Sequence, residues 1–244
     1  MTMKQWFSSW FDTEFYHILY QDRDESEAQD FIERLTNFLE LPKDELIVDL
    51  ACGKGRHSIT LNKLGFNVLG VDLSANSINE ASKNQNDRLH FLVHDMRLTI
   101  PNVKAQAIFN LFTSFGYFDS MEENEKVLNS IHSNLNPNGI LVIDFLNAVK
   151  TINDLIPQEE KQLDNISFNI QRSFNGTHII KQIDFHSDNE DFAFTERVQA
   201  LKLEDFMDLF SKSGFELIRT FGDFDLSQYD AKSSNRLIMI AQKK

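Results

Sequence analysis

The stretch from Leu46 to Leu73 constrains the fold of this chain more than any other part of the sequence. It begins with the apolar run Leu46-Ile47-Val48, which predicts a strand buried on both faces. A glycine-containing turn over residues 51–55 follows, then a helix over residues 56–64 and a second buried strand over residues 66–71. This order predicts a βαβ unit, in which a helix joins two parallel strands.

A carboxylate stands at the end of each predicted strand, Asp49 after the first and Asp72 after the second, 23 positions later. Free N–H groups and the positive end of the helix dipole favour a hydrogen-bond-accepting or anionic part of a ligand at the turn. The carboxylate after the second strand is placed to accept hydrogen bonds from both hydroxyls of a ribose. The unit therefore predicts a ligand that contains a ribose.

Two classes of cofactor fit such a unit. A dinucleotide site prefers the pattern G-x-G-x-x-G. This chain gives A-x-G-x-G when read from Ala51, and G-x-G-x-x-S when read from Gly53, with Ser58 at the third glycine position. Neither reading matches well, and an NAD-dependent oxidoreductase stays as an alternative.

The run Asp-Leu-Ala-Cys-Gly-Lys-Gly, followed by Gly-Val-Asp-Leu-Ser, resembles the first two motifs of the class I S-adenosylmethionine-dependent methyltransferases. The common form of that family has glycine where this chain has Ala51. The resemblance covers about residues 40–145 and the last 45, particularly to the small-molecule branch with an aromatic N-terminal segment and an inserted sheet. It implies an α/β fold: a Rossmann-like seven-stranded sheet of order 3-2-1-4-5-7-6 with strand 7 antiparallel.

The resemblance also implies the cofactor, S-adenosylmethionine, with S-adenosylhomocysteine as product. The turn would bind the methionine part, Asp49 would orient its ammonium group, and Asp72 would hold the ribose. Asp95 would meet the adenine amino group, although a plain turn residue is the alternative for it. Arg56 is either the partner of the cofactor carboxylate or a solvent-facing residue. The implied cofactor-binding residues are Tyr20, Asp49, Ala51, Cys52, Gly53, Gly55, Arg56, Asp72, Leu73, Asp95, Met96, Asn110, Leu111 and Phe112.

On the acceptor side, the resemblance implies that Tyr16, Phe115 and Tyr117 contact the substrate. If the acceptor needs a general base, Tyr117, His57 and His17 are the candidates, each of them more often a structural residue. Methyl transfer needs mainly alignment and a dry pocket, because the leaving thioether needs no acid, and the catalytic residues beyond these candidates stay unknown. Neither the histidines nor the one cysteine show the spacing of metal ligands, so no metal is expected.

The N-terminal residues 1–45 are predicted to form a helical segment, and residues 3–20 are rich in aromatic side chains. This aromatic stretch either anchors the segment to the core or closes over the cofactor as a lid. The two interpretations are compatible. The aromatic residues are Trp6, Phe7, Trp10, Phe11, Phe15, Tyr16 and Tyr20.

After the predicted methyltransferase residues 1–157, the sequence changes its pattern. Residues 158–200 break the succession of strands and helices: 166–174 and 178–185 alternate apolar and polar side chains, and 192–201 has the pattern of a third strand. This predicts an inserted subdomain of three antiparallel strands over residues 158–200. Asn175-Gly176 predicts a type I′ hairpin between the first two. This subdomain would be a substrate-side wall or a dimer surface.

The methyltransferase domain resumes over residues 201–244, where two strands are predicted at 215–221 and 236–241. The polar span between them lacks the apolar periodicity of a helix. The two strands are therefore expected to form a hairpin. A hairpin favours the methyltransferase, because a parallel strand at this point of the sheet would need a crossover helix.

The 244 residues suit one domain with a subdomain, and the net charge of −13 argues against tight binding to nucleic acid. A single cysteine, Cys52, allows no intramolecular disulfide and fits a cytoplasmic protein. No signal peptide or membrane span is expected. The sequence thus predicts a monomeric or homodimeric methyltransferase for a small molecule, with a non-catalytic cofactor-binding protein as a further alternative.

Overall fold

The computed structural model describes residues 10–21 and 25–244, with only the backbone of Glu25. Its α-helices are α1 (Glu14–Leu19), α2 (Glu25–Leu39), α3 (Arg56–Lys63), α4 (Ala75–Ala81), α5 (Met121–Asn134), α6 (Ala148–Asn153) and α7 (Leu203–Lys212). Its strands are β1 (Leu46–Leu50), β2 (Asn67–Asp72), β3 (Leu89–Val93), β4 (Ala105–Asn110), β5 (Leu135–Leu146), β6 (Gln158–Leu163), β7 (Ile166–Phe174), β8 (His178–Ser187), β9 (Glu190–Gln199), β10 (Phe215–Phe221) and β11 (Arg236–Lys243). A short 3₁₀ turn, Ser82–Asn84, extends α4.

The larger sheet has seven strands in the order β10-β11-β5-β4-β1-β2-β3. Strands β1 to β5 run parallel, while β11 lies antiparallel between β5 and β10. This confirms the predicted order 3-2-1-4-5-7-6 and the predicted C-terminal hairpin. The first five strands therefore place their carboxyl ends along one edge of the sheet.

Both faces of this sheet are covered, because successive residues of a strand point to opposite faces. Val48 enters one buried cluster with α5 and α7, and Ile47 enters another with α2 and α3. In the second cluster, Phe31 and Leu35 form the apolar stripe of α2 that its helical spacing predicts. The strand run from residue 46 is thus buried on both sides, as expected for a central parallel strand.

The inserted sheet has four antiparallel strands, β6-β7-β8-β9, and the prediction of three strands was wrong. The missed strand, β6, has the sequence Gln-Glu-Glu-Lys-Gln-Leu and, among the described strands, pairs with β7 alone. It is an edge strand, and charged residues on an edge strand oppose association with other chains. Its polar sequence lacks the alternation from which strands are predicted.

The first hairpin of the insertion is present, but its turn is not type I′. Phe174 pairs with Ile179, so Gly176 and Thr177 are the central residues, and only Gly176 has a positive φ, 98°. This is the pattern of a type II′ turn. The Asn175 side chain holds it by accepting hydrogen bonds from the N–H groups of Thr177 and His178. The type I′ pattern occurs at the next hairpin, where Asp188 and Asn189 both have positive φ.

A third buried cluster joins the inserted sheet to the N-terminal residues. Trp10 and Leu19 pack there with Phe168, Ile170 and Ile183 of β7 and β8. The anchoring role predicted for the aromatic segment therefore holds for residues 10–20, with the inserted sheet as its support. Trp6 and Phe7 lie outside the described residues. In the part of the chain that the structure describes, no helix is long and apolar enough to cross a membrane.

Candidate active site

A cavity of about 390 Å³ opens at the carboxyl ends of β1, β2, β3 and β4. In open parallel sheets this edge is the usual place for ligands. The N-terminal residues cover the cavity from the other side. The lining residues are Phe11, Tyr16, His17, Tyr20, Gln21, Leu50, Ala51, Cys52, Gly53, Lys54, Arg56, His57, Val71, Asp72, Leu73, Ser77, His94, Asp95, Met96, Leu111, Phe112, Ser114, Tyr117 and Phe118.

The turn between β1 and α3 has three residues in the left-handed region, Ala51 (φ 64°), Gly53 (φ 55°) and Gly55 (φ 84°). Gly55 also needs to be glycine for space, because a Cβ there would lie 2.7 Å from two atoms of the Phe91 ring. A Cβ at Gly53 would meet no protein atom within 4 Å. The turn is thus closely packed at its inner end and open towards the cavity.

Asp72 joins this turn to the end of β2. Its carboxylate accepts hydrogen bonds from the backbone N–H of Gly53 and of Ser74, both at 2.8 Å. Burial raises the pKa of Asp72, although these backbone donors act in the opposite direction. The carboxylate is fixed in orientation and still reaches the cavity.

Asp49 lies behind the turn rather than in the cavity wall. It is 1% exposed, and its carboxylate accepts a hydrogen bond of 2.5 Å from the Ser58 hydroxyl. Burial raises the pKa of Asp49 from its ordinary 3.8 to about 6. Ser58, at the third glycine position of the dinucleotide pattern, serves here as the buried donor to this carboxylate.

Asp95 lines the cavity, but its carboxylate oxygens are engaged by a neighbour. Arg97 donates to them from Nε at 3.0 Å and from its terminal nitrogen at 2.6 Å. Burial by itself would raise the pKa of Asp95, but the hydrogen bonds from Arg97 prevail and lower it. Arg97 also bonds to Glu123 at 2.8 Å, which ties the loop after β3 to α5.

The loop after β4 is held by a buried ion pair. Phe112 and Thr113 both have positive φ, 62° and 58°, which is unusual for a bulky and a β-branched residue. The Asp144 carboxylate accepts a hydrogen bond from the Phe112 N–H at 2.8 Å and is paired with Arg236 at 2.8 Å. The guanidinium groups of Arg56 and Arg236 lie 5.3 and 5.8 Å from the centre of the Phe112 ring.

The structure brings most of the predicted site residues together. Those that line the cavity are Tyr16, His17, Tyr20, Ala51, Cys52, Gly53, Arg56, His57, Asp72, Leu73, Asp95, Met96, Leu111, Phe112 and Tyr117. Phe11, from the aromatic stretch expected to anchor the segment or to cover the cofactor, also lines the cavity. Lining residues that the sequence did not single out for the site are Gln21, Leu50, Lys54, Val71, Ser77, His94, Ser114 and Phe118. His94 and Ser114 could have been found, because each is the chain neighbour of a predicted site residue, His94 of Asp95 and Ser114 of Phe115.

Four predicted residues are not in the cavity wall: Asp49, Gly55, Asn110 and Phe115. The expectation that Phe115 faces the substrate was wrong, because its ring is fully buried in the core against Phe206. Asn110 is also fully buried, and its amide nitrogen donates to the Leu50 carbonyl. Asp49 and Gly55 support the turn from behind.

Cys52 lines the cavity but is poorly suited to act as a nucleophile. Burial raises the pKa of its thiol well above the ordinary value, so the thiol stays protonated at neutral pH. Among residues 10–21 and 25–244, no three His, Cys, Asp or Glu side chains lie close enough together to hold a metal ion. The described groups suit an organic cofactor bound by hydrogen bonds.

The residues present fit an adenosyl cofactor. The Asp72 carboxylate in the cavity can accept hydrogen bonds from hydroxyl groups. The turn is open at Gly53, and Met96 and Phe112 provide apolar side chains. The Asn110 side-chain oxygen, at the same sheet edge, is buried without a hydrogen-bond partner among the described residues. A donor such as an ammonium group is the complement that this edge lacks.

Comparison with known proteins identifies the family. Residues 41–184 match a family model described as a methyltransferase domain, so the chain belongs to that family and is an S-adenosylmethionine-dependent methyltransferase of class I. A putative methyltransferase, YqeM, of Bacillus subtilis (strain 168) is 30% identical over 215 residues, which are 83% of this chain and 86% of that protein. The predicted cofactor is thereby confirmed, and the oxidoreductase alternative finds no support.

Two solved structures show the same fold. An S-adenosylmethionine-dependent methyltransferase from Clostridium acetobutylicum ATCC 824 has a TM-score of 0.80 at 19% identity, with 94% of this chain and 96% of that chain covered. CalS10, an amino pentose methyltransferase from Micromonospora echinaspora solved with S-adenosylmethionine bound, has a TM-score of 0.70 at 18% identity, with 95% and 98% covered. The fold thus extends over the insertion as well as the sheet domain.

Proposed function

We propose that the cavity at the edge of the seven-stranded sheet binds S-adenosylmethionine and that the protein methylates a small-molecule acceptor. The observation that carries this proposal is the hydrogen bond of 2.8 Å that the Asp72 carboxylate accepts from the N–H of Gly53. This bond places a carboxylate that can accept hydrogen bonds from ribose hydroxyls next to an open glycine turn in the same cavity. When bound, the cofactor supplies a methyl group on a sulfonium and a thioether leaving group that needs no acid.

The roles of the cavity residues follow from their positions. The open turn at Gly53 lets the methionine part approach the backbone, and Asp72 accepts from the ribose hydroxyls. Asp95 and Met96 receive the adenine, with Asp95 shared between the ligand and Arg97. Leu111 and Phe112 pack on the cofactor from the β4 loop.

The N-terminal residues exclude water from the reacting groups. Phe11, Tyr16, His17 and Tyr20 line the cavity opposite the strand ends, and the Phe11 ring lies 5.3 Å from the Tyr117 ring of the β4 loop. We call these four N-terminal side chains the roof of the cavity. The roof keeps the acceptor aligned and dry, which is the main requirement of a methyl transfer. His17, His57 and Tyr117, which all line the cavity, are our candidates for accepting a proton from the acceptor.

The size of the cavity supports a small acceptor. A space of about 390 Å³ is near the lower end for sites that hold drug-sized ligands, and it has to hold the cofactor as well as the acceptor. CalS10, an amino pentose methyltransferase, shares the fold, and an acceptor of similar size would suit this cavity.

Isothermal titration with S-adenosylmethionine and S-adenosylhomocysteine tests the cofactor site directly. We expect saturable binding of both, and no heat at millimolar ligand would contradict the proposal. A panel of small amines and hydroxyl compounds, assayed for S-adenosylhomocysteine release, then tests turnover. Binding without turnover across such a panel would favour the non-catalytic alternative.

A further inference from the structure

The N-terminal segment, residues 10–21, rests on the inserted sheet. The Trp10 ring is 1% exposed and its centre lies 4.5 Å from that of Phe194 on β9. The Phe15 ring lies 4.7 Å from both Phe185 and Phe192. The inserted sheet therefore supports, by side-chain packing, the N-terminal segment that covers the cavity.

A single carboxylate of the inserted sheet, Glu196 on β9, binds both ends of this segment. It accepts a hydrogen bond from the Trp10 indole at 2.6 Å and from the Tyr20 hydroxyl at 2.8 Å. Lys181, its cross-strand neighbour on β8, lies 2.6 Å from the Tyr20 hydroxyl and 3.8 Å from the carboxylate. The Lys181 and Glu196 side chains are only 14% and 18% exposed, so these charge-assisted bonds are little weakened by solvent.

The opposite side of the segment reaches the cofactor edge of the large sheet. The Asp12 carboxylate accepts hydrogen bonds from the Ser74 hydroxyl at 2.5 Å and from the Asn76 amide at 2.8 Å. Ser74 is the residue whose N–H donates to Asp72. The segment thus bridges the inserted sheet and the turn next to the predicted ribose site.

We infer that Glu196 and Lys181 are positioning residues for the cofactor site. Tyr20 lines the cavity, whereas its hydroxyl is bonded to Glu196 and Lys181, which do not line it. The pair holds the Tyr20 ring in the cavity wall, and the inserted sheet thereby supports the roof over the cofactor. This inference rests on the proposed function, since it assigns these residues a task in cofactor binding.

A double-mutant cycle with S-adenosylhomocysteine as probe tests the inference. The variants are Glu196→Gln, Tyr20→Phe and their combination, and the affinity is measured by isothermal titration. We expect each single variant to weaken binding by about tenfold, because Glu196→Gln removes the negative charge of the acceptor and Tyr20→Phe removes the hydroxyl that donates to it. The double variant should also bind about tenfold more weakly than the wild type, and no more weakly than either single variant. Both changes disrupt the same contact, between Glu196 and the Tyr20 hydroxyl.

The matched control is Glu159→Gln on β6. Glu159 also pairs with a cation of the inserted sheet, Arg172 at 2.6 Å, and no hydrogen bond or ion pair between described residues joins it to residues 10–21. Its variant should bind S-adenosylhomocysteine like the wild type. A general weakening of the sheet would affect the two glutamate variants alike.

Tryptophan fluorescence gives a readout that sheet stability alone would not move. The chain has two tryptophans, Trp6 and Trp10, so the emission reports only on the N-terminal part. We expect Glu196→Gln to shift the emission to longer wavelength, with an unchanged far-UV circular dichroism spectrum. Glu159→Gln should leave the emission unchanged.

Wild-type affinity in both Glu196→Gln and Tyr20→Phe, or fully additive effects in the double variant, would overturn the inference. Should Glu196→Gln fail to fold, Lys181→Met replaces it in the cycle with the same expectation. Absence of binding to the wild-type protein would instead count against the proposed function, so the two failures are distinguishable.

Discussion

The Asp72 carboxylate accepts a hydrogen bond of 2.8 Å from the backbone N–H of Gly53, a residue 19 positions earlier in the chain. Its other oxygen accepts from the N–H of Ser74. One side chain therefore fixes the turn after β1, begins the loop after β2 and presents a carboxylate to the cavity. Strand pairing makes this geometry possible, since β1 and β2 are parallel neighbours that end at the same edge.

Replacing Asp72 by Ala should weaken binding of S-adenosylhomocysteine by about tenfold to a hundredfold, because hydrogen bonds to a charged group are worth about 1.5–3 kcal/mol. Isothermal titration measures the effect. Asp87→Ala, which removes an exposed carboxylate between α4 and β3, is the matched control. Unchanged affinity in Asp72→Ala would show that the ribose binds elsewhere.

The two glycines of the turn should respond differently to alanine. In Gly53→Ala the new methyl group meets no protein atom, so the loss of stability should be about 1–2 kcal/mol, the cost of a positive φ. The same methyl group stands on the cavity side and should reduce cofactor affinity strongly. Gly55→Ala adds a clash 2.7 Å from the Phe91 ring and should lose about 1–3 kcal/mol more stability.

Urea unfolding and titration with S-adenosylhomocysteine separate these two effects. The expected pattern is an affinity defect that dominates in Gly53→Ala and a stability defect that dominates in Gly55→Ala. The reverse pattern would mean that Gly55, and not Gly53, is the end of the turn that faces the cavity.

Much of the fold could be predicted because its signals are local and repeated. The run Leu46-Ile47-Val48 and the apolar stripe of α2 each report their own burial. Strand β6 could not be predicted in this way, since an edge strand with a polar sequence is defined by its partner β7. The turn at Asn175 was placed correctly, but its type depends on a register that only the pairing of β7 with β8 reveals.

The site was predictable where a residue's position in the sequence determines its place in the sheet. Asp72 and Asp95 follow parallel strands and so reach the common edge. Phe115 directly follows the cavity-lining residue Ser114, yet its ring direction depends on packing against Phe206, 91 residues later. The roles of Glu196 and Lys181 were equally hidden, because they arise from contacts between the insertion and residues 10–21.

The buried Asp49 should make the stability of the protein depend on pH. Its pKa in the folded protein, about 6, is above the ordinary 3.8, so the native state binds this proton more tightly than the unfolded chain. The stability from this group is therefore complete below about pH 4 and is lost as the pH rises to about 6. The loss amounts to about 3 kcal/mol, at about 1.4 kcal/mol for each pKa unit.

Urea unfolding of the wild type and of Asp49→Asn at several pH values measures this contribution as a difference. Relative to the variant, the wild type should lose stability between about pH 4 and pH 6 and stay level above that range. Ser58→Ala removes a hydrogen bond that lowers the pKa, and should extend the loss to higher pH. A difference that does not vary with pH would contradict the assignment.

The ion pair between Asp144 and Arg236 should carry the conformation of the β4 loop. Asp144 is 1% exposed and supports both the Phe112 N–H and, through Arg236, the Thr113 hydroxyl. Arg236→Met would leave this buried carboxylate without its cation and should lower the free energy of unfolding by about 3–5 kcal/mol. The double variant with Asp144→Asn should recover part of that loss, because the buried charge is then removed.

Lys150→Met is the control for this prediction. Lys150 pairs with Asp154 on the surface, where the Asp154 side chain is 61% exposed, and such pairs contribute about 0.2–1 kcal/mol. Denaturant unfolding should therefore show a much smaller loss of stability for Lys150→Met than for Arg236→Met. Because the pair holds two consecutive residues at positive φ next to the cavity, Arg236→Met should also weaken S-adenosylhomocysteine binding. Full stability and affinity in Arg236→Met would show that the loop keeps its conformation without the pair.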